Sequence, residues 1–547
     1  MNVAELVGRT LAQLGVGHVF GVVGSGNLVV TNALRKNGVP FTAARHEGGA
    51  ATMADAYSRM AEKVAVLSTH QGCGLTNAMT GITEAAKSRT PMIVLAADSA
   101  GSTVRSNFKV DQDALARSVG AVAERVHSAE TAVADTVRAY RTAVNERRTV
   151  VLNLPLDVQE LQVPAGTPAE VAPPARPAAV KPNDQAVTEL VALLNAASRP
   201  VFIAGRGARA AGAELLELAE QSGALVATSA VASGLFHGAE FALGISGGFS
   251  TPTTAELITG ADLIVGWGCT LNMWTTRHGR LIGEKTVLVQ VDVEDSSLGA
   301  NRPIDLGLLG DSAETARAVL SRLRADGPAV EGYRTQQVAE KIAAGSNWCD
   351  VATEDLSVEG LIDPRVLSRR LNELLPKERI VSIDSGNFMG YPSTYLSVPD
   401  HFGFCFTQAF QSIGLGLHTA IGAALAQPHR LPVLAAGDGG FLMSISELDT
   451  AVRLRLPLVA IVYNDNAYGA EVHHFGEDAD LATVTFPETD IAAIARGYGA
   501  TGITVRGVDD MAAVQTWLDG PRETPLVIDA KVANDGGSWW LAEAFGH

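Results

Sequence analysis

A chain of 547 residues exceeds one ordinary hydrophobic core, so roughly two to four domains are expected. Hydrophobic residues at 47%, aromatics at only 5% and 55 glycines suit a large, tightly packed α/β protein and exclude a disordered one. A formal net charge of −17, with no basic stripe, excludes a general nucleic-acid binder.

The opening MNVAELVGRTLAQLGV reads as an amphipathic helix rather than a signal peptide, and no apolar run is long enough to span a bilayer. A cytoplasmic protein with no membrane partner is expected. The cysteines Cys73, Cys269, Cys349 and Cys405 have neither metal-binding nor disulfide-framework spacing. TAARHEGGAATMADAYSRM sets Glu47 at the start of a small-residue helix, where a favourable dipole interaction is the ordinary role of a carboxylate. The following Gly48, Gly49, Ala50 and Ala51 permit close approach of another segment, from the same chain or a second one. STHQGCGLTN places His70 directly after a predicted strand, where a lone histidine is more often structural than catalytic.

The first domain is expected to span residues 1–162. It is followed by VPAGTPAEVAPPARPAAVKPND, residues 163–184, a Pro- and Ala-rich linker without hydrophobic period. A central domain over 185–330 opens RPVFIAGRGARAAGAELLELAEQSGALV and looks doubly wound. Its GRGARAAG is a poor dinucleotide fingerprint and reads as a plain strand-to-helix turn. Further on, GCTLNMWTTRHGRLIGEK puts Arg277 and His278 after a buried Trp274, either as surface charge or close to a substrate or nucleotide. A weaker polar break at 331–360 leads to a third domain, 361–547.

The richest stretch of that domain is GDGGFLMSISELDTAVRLRLPLVAIVYNDN. PVLAA predicts a strand, the glycines a turn, SISELDTAVRLRL a helix that stops before Pro457, and LVAIVY a second strand. This parallel crossover puts Asp438 and Asp465 at neighbouring carboxyl ends, where open α/β sheets bind ligands. Two such carboxylates suit a hard cation such as Mg²⁺ shared with a phosphate. Gly437, Gly439 and Gly440 let backbone amides approach an anion at the helix start. Gln71 to Pro91 echoes Gly437 to Pro457 in spacing, so one fold is expected twice, at opposite ends of the chain.

With GDG and NDN at this distance, each after a strand, the chain resembles the thiamine diphosphate-dependent enzymes of the acetolactate synthase, benzoylformate decarboxylase and pyruvate decarboxylase type. The resemblance covers essentially the whole chain. It implies three doubly wound parallel-sheet domains, with the thiamine diphosphate-binding fold at both ends and a Rossmann-like domain between. It further implies that Asp438, Asp465 and the carbonyl of Ala467 hold Mg²⁺ on the cofactor diphosphate, with Tyr468 beside them. Asp465 stands where the family usually has Asn. In VSIDSGNFMG, Gly386 and Asn387 would approach the diphosphate, or form a simple turn. Glu47 would hydrogen-bond the aminopyrimidine ring, Ile413 would support the bent cofactor from beneath, and the Gln411 carbonyl would face the exocyclic amine. Many relatives have Gly at the Gln411 position and Leu or Met at that of Ile413.

HQGCGLTN is similar to the loop that carries a catalytic histidine in benzoylformate decarboxylase-like enzymes, whereas acetolactate synthases usually carry Ser-Gly-Pro-Gly there. Glu471 in NDNAYGAEVHHF matches a glutamate that assists decarboxylation in pyruvate and indolepyruvate decarboxylases, although a polar helix face equally explains Glu471, His473 and His474. His474 is expected at the substrate cavity and His473 in solvent. The central loop departs from the Asp- and Arg-rich pattern of flavin-containing relatives, so FAD is not expected. The implied activity is decarboxylation of a small 2-oxo acid through an enamine. The alternative is an acetolactate synthase-type carboligase that joins the enamine to a second carbonyl compound. A homodimer, and a homotetramer built from two dimers, is the implied assembly.

Overall fold

The computed structural model describes residues 1–476 and 479–541. Three six-stranded sheets follow one another along the chain, and every strand pairing within them is parallel. The first comprises β1 (His18–Gly21), β2 (Phe41–Ala43), β3 (Ala65–Thr69), β4 (Met92–Asp98), β5 (Val122–Arg125) and β6 (Thr149–Pro155). Its order is β2-β1-β3-β4-β6-β5. The third comprises β13 (Arg379–Ile383), β14 (Phe404–Cys405), β15 (Leu431–Gly437), β16 (Val459–Asn464), β17 (Thr501–Val505) and β18 (Leu526–Lys531), in the order β14-β13-β15-β16-β18-β17. Counted from its own first strand, the third sheet repeats the order of the first. The expected internal duplication is therefore a duplication of topology.

Between them lie β7 (Pro200–Ala204), β8 (Leu225–Thr228), β9 (Ala242–Ile245), β10 (Leu263–Trp267), β11 (Val287–Asp292) and β12 (Leu306–Leu309). Their order, β12-β11-β10-β7-β8-β9, is that of a dinucleotide-type doubly wound sheet. Strands such as β3, β4 and β16 are buried along their whole length, because helices cover both faces. That is why they read as continuous apolar runs and not as alternating ones.

The crossovers of the duplicated halves match in detail. Helices Cys73–Asn77 and Met79–Lys87 join β3 to β4, and Asp438–Ser444 and Leu448–Arg453 join β15 to β16. Each crossover ends on an arginine in the left-handed region, Arg89 at φ 54° and Arg455 at φ 51°, ahead of Pro91 and Pro457. One expectation changes. The glycines after β15 form no separate turn: Gly437 caps the helix and Asp438 is already its first residue. Amides in a first helical turn need no intrahelical acceptor, so the strand passes straight into a helix with its N–H groups free.

The first and third domains pack through helices Glu47–Ala61 and Gly416–Ala426. A side chain at Gly422 would strike the carbonyl of Met53 at 2.3 Å. Ala50, Ala51, Met53 and Ala54 share one buried cluster with Leu417, Ala420, Ile421 and Ala424. The small residues after Glu47 thus serve a contact inside the chain.

Residues 171–183 are irregular, and the linker's Pro168 and Ala169 carbonyls accept from Arg9 and Gln13. Residues 331–360, expected as linker, hold a helix, Gln336–Gly345, whose Ile342 is buried beside Leu257 and Ile258 of the central domain. Val338, Ala339 and Ile342 do carry helical spacing, but over little more than one turn within an otherwise polar stretch. The cysteines are free. Among the described residues, no helix is long and apolar enough to cross a membrane.

Candidate active site

The carboxyl end of the third sheet gathers residues from four segments. β15 delivers Asp438 and β16 delivers Asp465. Burial pushes the Asp438 carboxyl above its ordinary range, and burial with the neighbouring Asp438 charge pushes Asp465 up as well. Two carboxyl groups this close resist being ionised together. Asp438 is 6% exposed, and its Oδ1 has no hydrogen-bond partner. A buried carboxylate oxygen left unpaired, beside a second carboxylate, suits a cation supplied from outside the chain.

Around the pair the backbone makes room. A side chain at Gly469 would meet Asp465 Oδ2 at 2.4 Å and Asn387 Nδ2 at 3.4 Å. At Gly439 it would meet the Tyr468 ring at 2.6 Å. Gly386, at φ 103°, lies 3.8 Å in the same sense from Ile413 Cγ2. Gly386, Asn387, Ile413, Gly437, Asp438, Gly439, Gly440, Asp465, Ala467 and Tyr468 therefore belong to one neighbourhood. Ala467 donates its N–H to Asp465 Oδ1 at 3.2 Å, and Asn466 before it is left-handed at φ 56°. Asn387 is buried, with Oδ1 accepting from Ser538 N and its carbonyl from Trp540 Nε1, both at 3.1 Å. Gln411 is exposed and left-handed at φ 59°.

Asp384 is a residue the sequence reading missed. It is fully enclosed, and accepts from the N–H groups of Ser385 at 2.7 Å, Gly414 at 2.9 Å and Gly416 at 3.2 Å. Burial raises its pKa to about 6 against those hydrogen bonds. It anchors the far end of the segment that carries Gln411 and Ile413. The signal was an Asp directly after a strand, in VSIDSG.

The first domain presents a second cluster. Glu47 opens helix Glu47–Ala61 and accepts from Asn77 Nδ2 at 3.1 Å. A side chain at Gly74 would lie 3.3 Å from His70 Cβ and 3.5 Å from Glu47 Oε1, so these two residues flank one small gap. His70 Nδ1 contacts the Gln71 carbonyl at 3.1 Å, and its Nε2 faces Ser25 Oγ at 3.5 Å. Phe108 meets the imidazole edge-on, with ring centres 5.0 Å apart. Ser25 was missed too. Its mark is the run GSG just beyond β1, at the same sheet edge as His70. Among the described residues no hydrogen bond joins Glu47 to the Asp438–Asp465 pair.

Other positions differ from expectation or sharpen it. His473 is half-buried rather than solvent-facing: it packs on Gly537 and burial lowers its pKa, while His474 is the exposed one, beside Phe475. The C-terminal segment covers one face of helix Gly469–Phe475, and helical periodicity does not reveal such a cover. Glu471 is half-buried in the first turn of that helix. Arg277 is more than plain surface charge. Its guanidinium binds the carbonyls of Gly247 at 3.0 Å and Ser250 at 2.9 Å and secures that loop. Trp274 is half-buried rather than buried, and His278 lies beside it. Trp274 helps line a cavity of about 360 Å³ where the three domains meet, together with Arg206, Asp292, Gln408, Gln411 and Trp540. The Gln408 side chain is 6% exposed and neither of its polar atoms is paired.

Comparison with known proteins accords with this geometry. Three family models match in order: the N-terminal thiamine pyrophosphate-binding domain over residues 1–116, the central domain over 187–319, and the C-terminal binding domain over 384–530. A sulfoacetaldehyde acetyltransferase of Rhodobacter capsulatus is 28% identical, over 93% of this chain and 90% of that protein. An acetolactate synthase of Bacillus subtilis is also 28% identical, over 97% and 93%. A probable 2-ketoarginine decarboxylase of Pseudomonas aeruginosa is 29% identical, over 93% and 90%. The structure of a thiamine diphosphate-dependent 4-hydroxybenzoylformate decarboxylase from Rhodococcus jostii superposes with a TM-score of 0.82, covering 98% of this chain and all of that one. Its identity of 22% speaks for the fold alone. With its three domains matched in sequence order, the chain belongs to the thiamine pyrophosphate enzyme family.

Proposed function

We propose that this enzyme decarboxylates a small 2-oxo acid, using thiamine diphosphate held by Mg²⁺. The observation that carries the reading is His70, set beside Glu47 across Gly74 and facing Ser25, because it adds a proton carrier and a hydroxyl to the cofactor machinery. The fit to the metal rests on the donor set. Asp438 with its unpaired oxygen, Asp465 and the Ala467 carbonyl offer only oxygens, as Mg²⁺ prefers. Among the described residues no group of three or more His, Cys, Asp or Glu forms a complete cage. Such a site suits a cation whose remaining ligands are phosphate oxygens and water.

Bound thiamine diphosphate supplies a carbon nucleophile and an electron sink for the bond that breaks. The chain's residues do the rest. Glu47 would hydrogen-bond the cofactor's ring, Ile413 would support it with apolar bulk, and the Gln411 carbonyl would accept from its amine. Gly386, Asn387 and the amides of Gly439 and Gly440 would hold the diphosphate. Ser25 Oγ and His70 Nε2 orient the substrate carboxylate, and His70 then holds the proton delivered to the product, with Glu471 assisting. His474, exposed on the same helix as Glu471, would stand at the outer edge of this pocket.

A second reading has its own support. Relatives named for acetyl transfer and for acetolactate synthesis favour handing the two-carbon unit to an acceptor before protonation. Carbon dioxide release from pyruvate, 2-oxobutyrate, phenylpyruvate and benzoylformate, with and without an acceptor aldehyde or oxo acid, separates the two. Aldehyde formed without acceptor supports decarboxylation. Turnover only with acceptor favours the carboligase, and silence on all four acids removes the first reading.

The working unit in this proposal is a homodimer, doubled to a homotetramer, with Glu47 from one copy meeting Asp438 of a second. Val23, Leu28, Val29, Phe410 and Met443 support it, since all are exposed apolar residues of the two outer domains, Leu28 and Val29 on helix Leu28–Lys36 and Met443 on helix Asp438–Ser444. Mixing inactive Glu47→Ala and Asp438→Ala copies after dissociation should restore part of the activity. No recovery despite proven exchange would put the whole site in one chain.

A further inference from the structure

Two buried glutamates cross between the outer domains in opposite directions. Glu447, in the crossover of the third sheet, is fully buried, and its Oε1 accepts the N–H of Arg45 at 2.8 Å and of His46 at 2.9 Å. These two residues immediately precede Glu47. Glu84, in the crossover of the first sheet, is equally buried, and accepts the N–H of Ala409 at 3.0 Å on Oε1 and of Phe410 at 2.7 Å on Oε2. Those two immediately precede Gln411. Each crossover thus grips a backbone dipeptide of the other domain, just ahead of a residue assigned to the cofactor.

We infer that Glu84 and Glu447 are reciprocal positioning residues, Glu447 setting the height of Glu47 and Glu84 that of the arch Gln411–Ile413. The inference rests on the cofactor roles proposed for those segments. The surroundings of each clamp are built for it. A side chain at Gly49 would lie 2.8 Å from Glu447 Oε1, so glycine there admits the carboxylate. Thr450 Oγ donates to Glu447 Oε2 at 2.5 Å. On the other side, Arg59 pairs with Glu84 Oε1 at 2.9 Å, and its Nη1 donates to the Phe406 carbonyl at 2.8 Å. Beyond the grip, Asp384 holds Gly414, so the arch is fastened at both ends while Phe410 and Gln411 remain exposed. A loop anchored by buried charge-assisted hydrogen bonds and otherwise open is held in place without being filled in.

The two clamps differ in a way that an amide tests. Glu447 uses one oxygen for both N–H groups, so Glu447→Gln keeps both bonds, with Thr450 Oγ turning to accept. Glu84 spends one oxygen on each N–H, so Glu84→Gln sets an amide NH₂ against a backbone donor and loses one bond. Hydrogen exchange in the full-length protein without cofactor reads the clamps directly. Peptides over 43–48 should exchange at least about tenfold faster in Glu447→Ala and stay near wild type in Glu447→Gln. Peptides over 406–414 should exchange faster in both Glu84→Gln and Glu84→Ala. Turnover should follow, with kcat falling about tenfold or more in each loosened variant and KM for the oxo acid moving less than about threefold.

Unchanged exchange in the loosened variants would overturn the inference. So would faster exchange with kcat within about twofold of wild type, which makes the clamps merely structural. Should Glu84→Ala fail to fold, because it removes one of the two carboxylates that pair with buried Arg59 and leaves Asp55 as the other, Glu84→Gln carries the test. Wild-type protein that retains no thiamine diphosphate in calorimetry would sink the functional reading separately, and exchange alone would then judge the clamps.

Discussion

The first and third domains place different chemistry on the same frame. Both sheets share one strand order, and both crossovers end two residues before a proline on a left-handed arginine. By register, Gly21 opposite Ser68 corresponds to Ser382 opposite Leu434. Asp384 then stands where the first domain has Val23, an exposed apolar residue in place of a buried carboxylate. Gln71 corresponds to Gly437, so the first crossover opens on His70 and Gln71 while the third opens on Gly437 and Asp438. The frame decides where a ligand is met. In the proposed reading, the two or three residues at each strand end decide whether that place holds a charged diphosphate or moves a proton.

The largest expected effect separates these tasks. Asp438→Ala should abolish retention of thiamine diphosphate and Mg²⁺ in calorimetry, since the remaining carboxylate and backbone oxygens are left to hold the cation. Asp465→Asn keeps an oxygen ligand and removes like-charge repulsion, so its affinity should stay within about tenfold. Undiminished cofactor binding in Asp438→Ala would break the assignment of the third domain. On the first domain, Glu47→Ala and His70→Ala should each lower kcat by roughly 10² to 10⁴ while the cofactor stays bound. Loss of cofactor from His70→Ala would erase the division of labour.

A smaller effect follows from Asp384 against Val23. Burial raises Asp384 from 3.8 to about 6. As pH falls, the folded state takes up this proton before the unfolded chain does. The stability contribution is therefore complete below about pH 4 and lost as pH rises through about 6, up to ~3 kcal/mol in all. Urea unfolding between about pH 4 and pH 7 should show that slope in wild type and its disappearance in Asp384→Asn. A slope unchanged by the substitution would assign it to other groups.

Much of this was legible in the sequence. The duplicated spacing gave away the repeated topology, because a buried crossover leaves little freedom between its two strands. Glu47, Asp438 and Asp465 could be placed because strand ends are marked by the halt of apolar runs. The hidden parts are contacts between distant segments. Nothing local to Glu447 says that it holds the backbone of Arg45 and His46, and nothing around His473 says that Gly537 covers it. Periodicity records that a face is buried but not which segment buries it. Asp384 and Ser25 fell between these cases, visible as polar residues at strand ends but lacking a second residue nearby to give them a role.

The finest contrast lies in two crossover glycines one position apart in the shared register. Gly72 and Gly437 each stand just ahead of their crossover helix and both act as N-caps. Their backbones differ. Gly72 is left-handed at φ 64°, and a side chain there would strike the Phe108 carbonyl at 2.1 Å. Gly437 is extended at φ −71°, and its nearest neighbour in that direction is Phe388 Cδ2 at 3.4 Å, an ordinary contact. Gly72→Ala therefore combines an unfavourable backbone with a steric clash, and should lower stability by about 1–3 kcal/mol in denaturant melts. Gly437→Ala meets neither penalty and should shift stability by under about 1 kcal/mol. Because the fold tolerates it, any loss of thiamine diphosphate affinity in Gly437→Ala reports on how closely the ligand approaches the backbone there. Equal destabilisation by the two alanines would mean that both strand-to-helix junctions are strained alike, and would remove the clearest local difference between the halves.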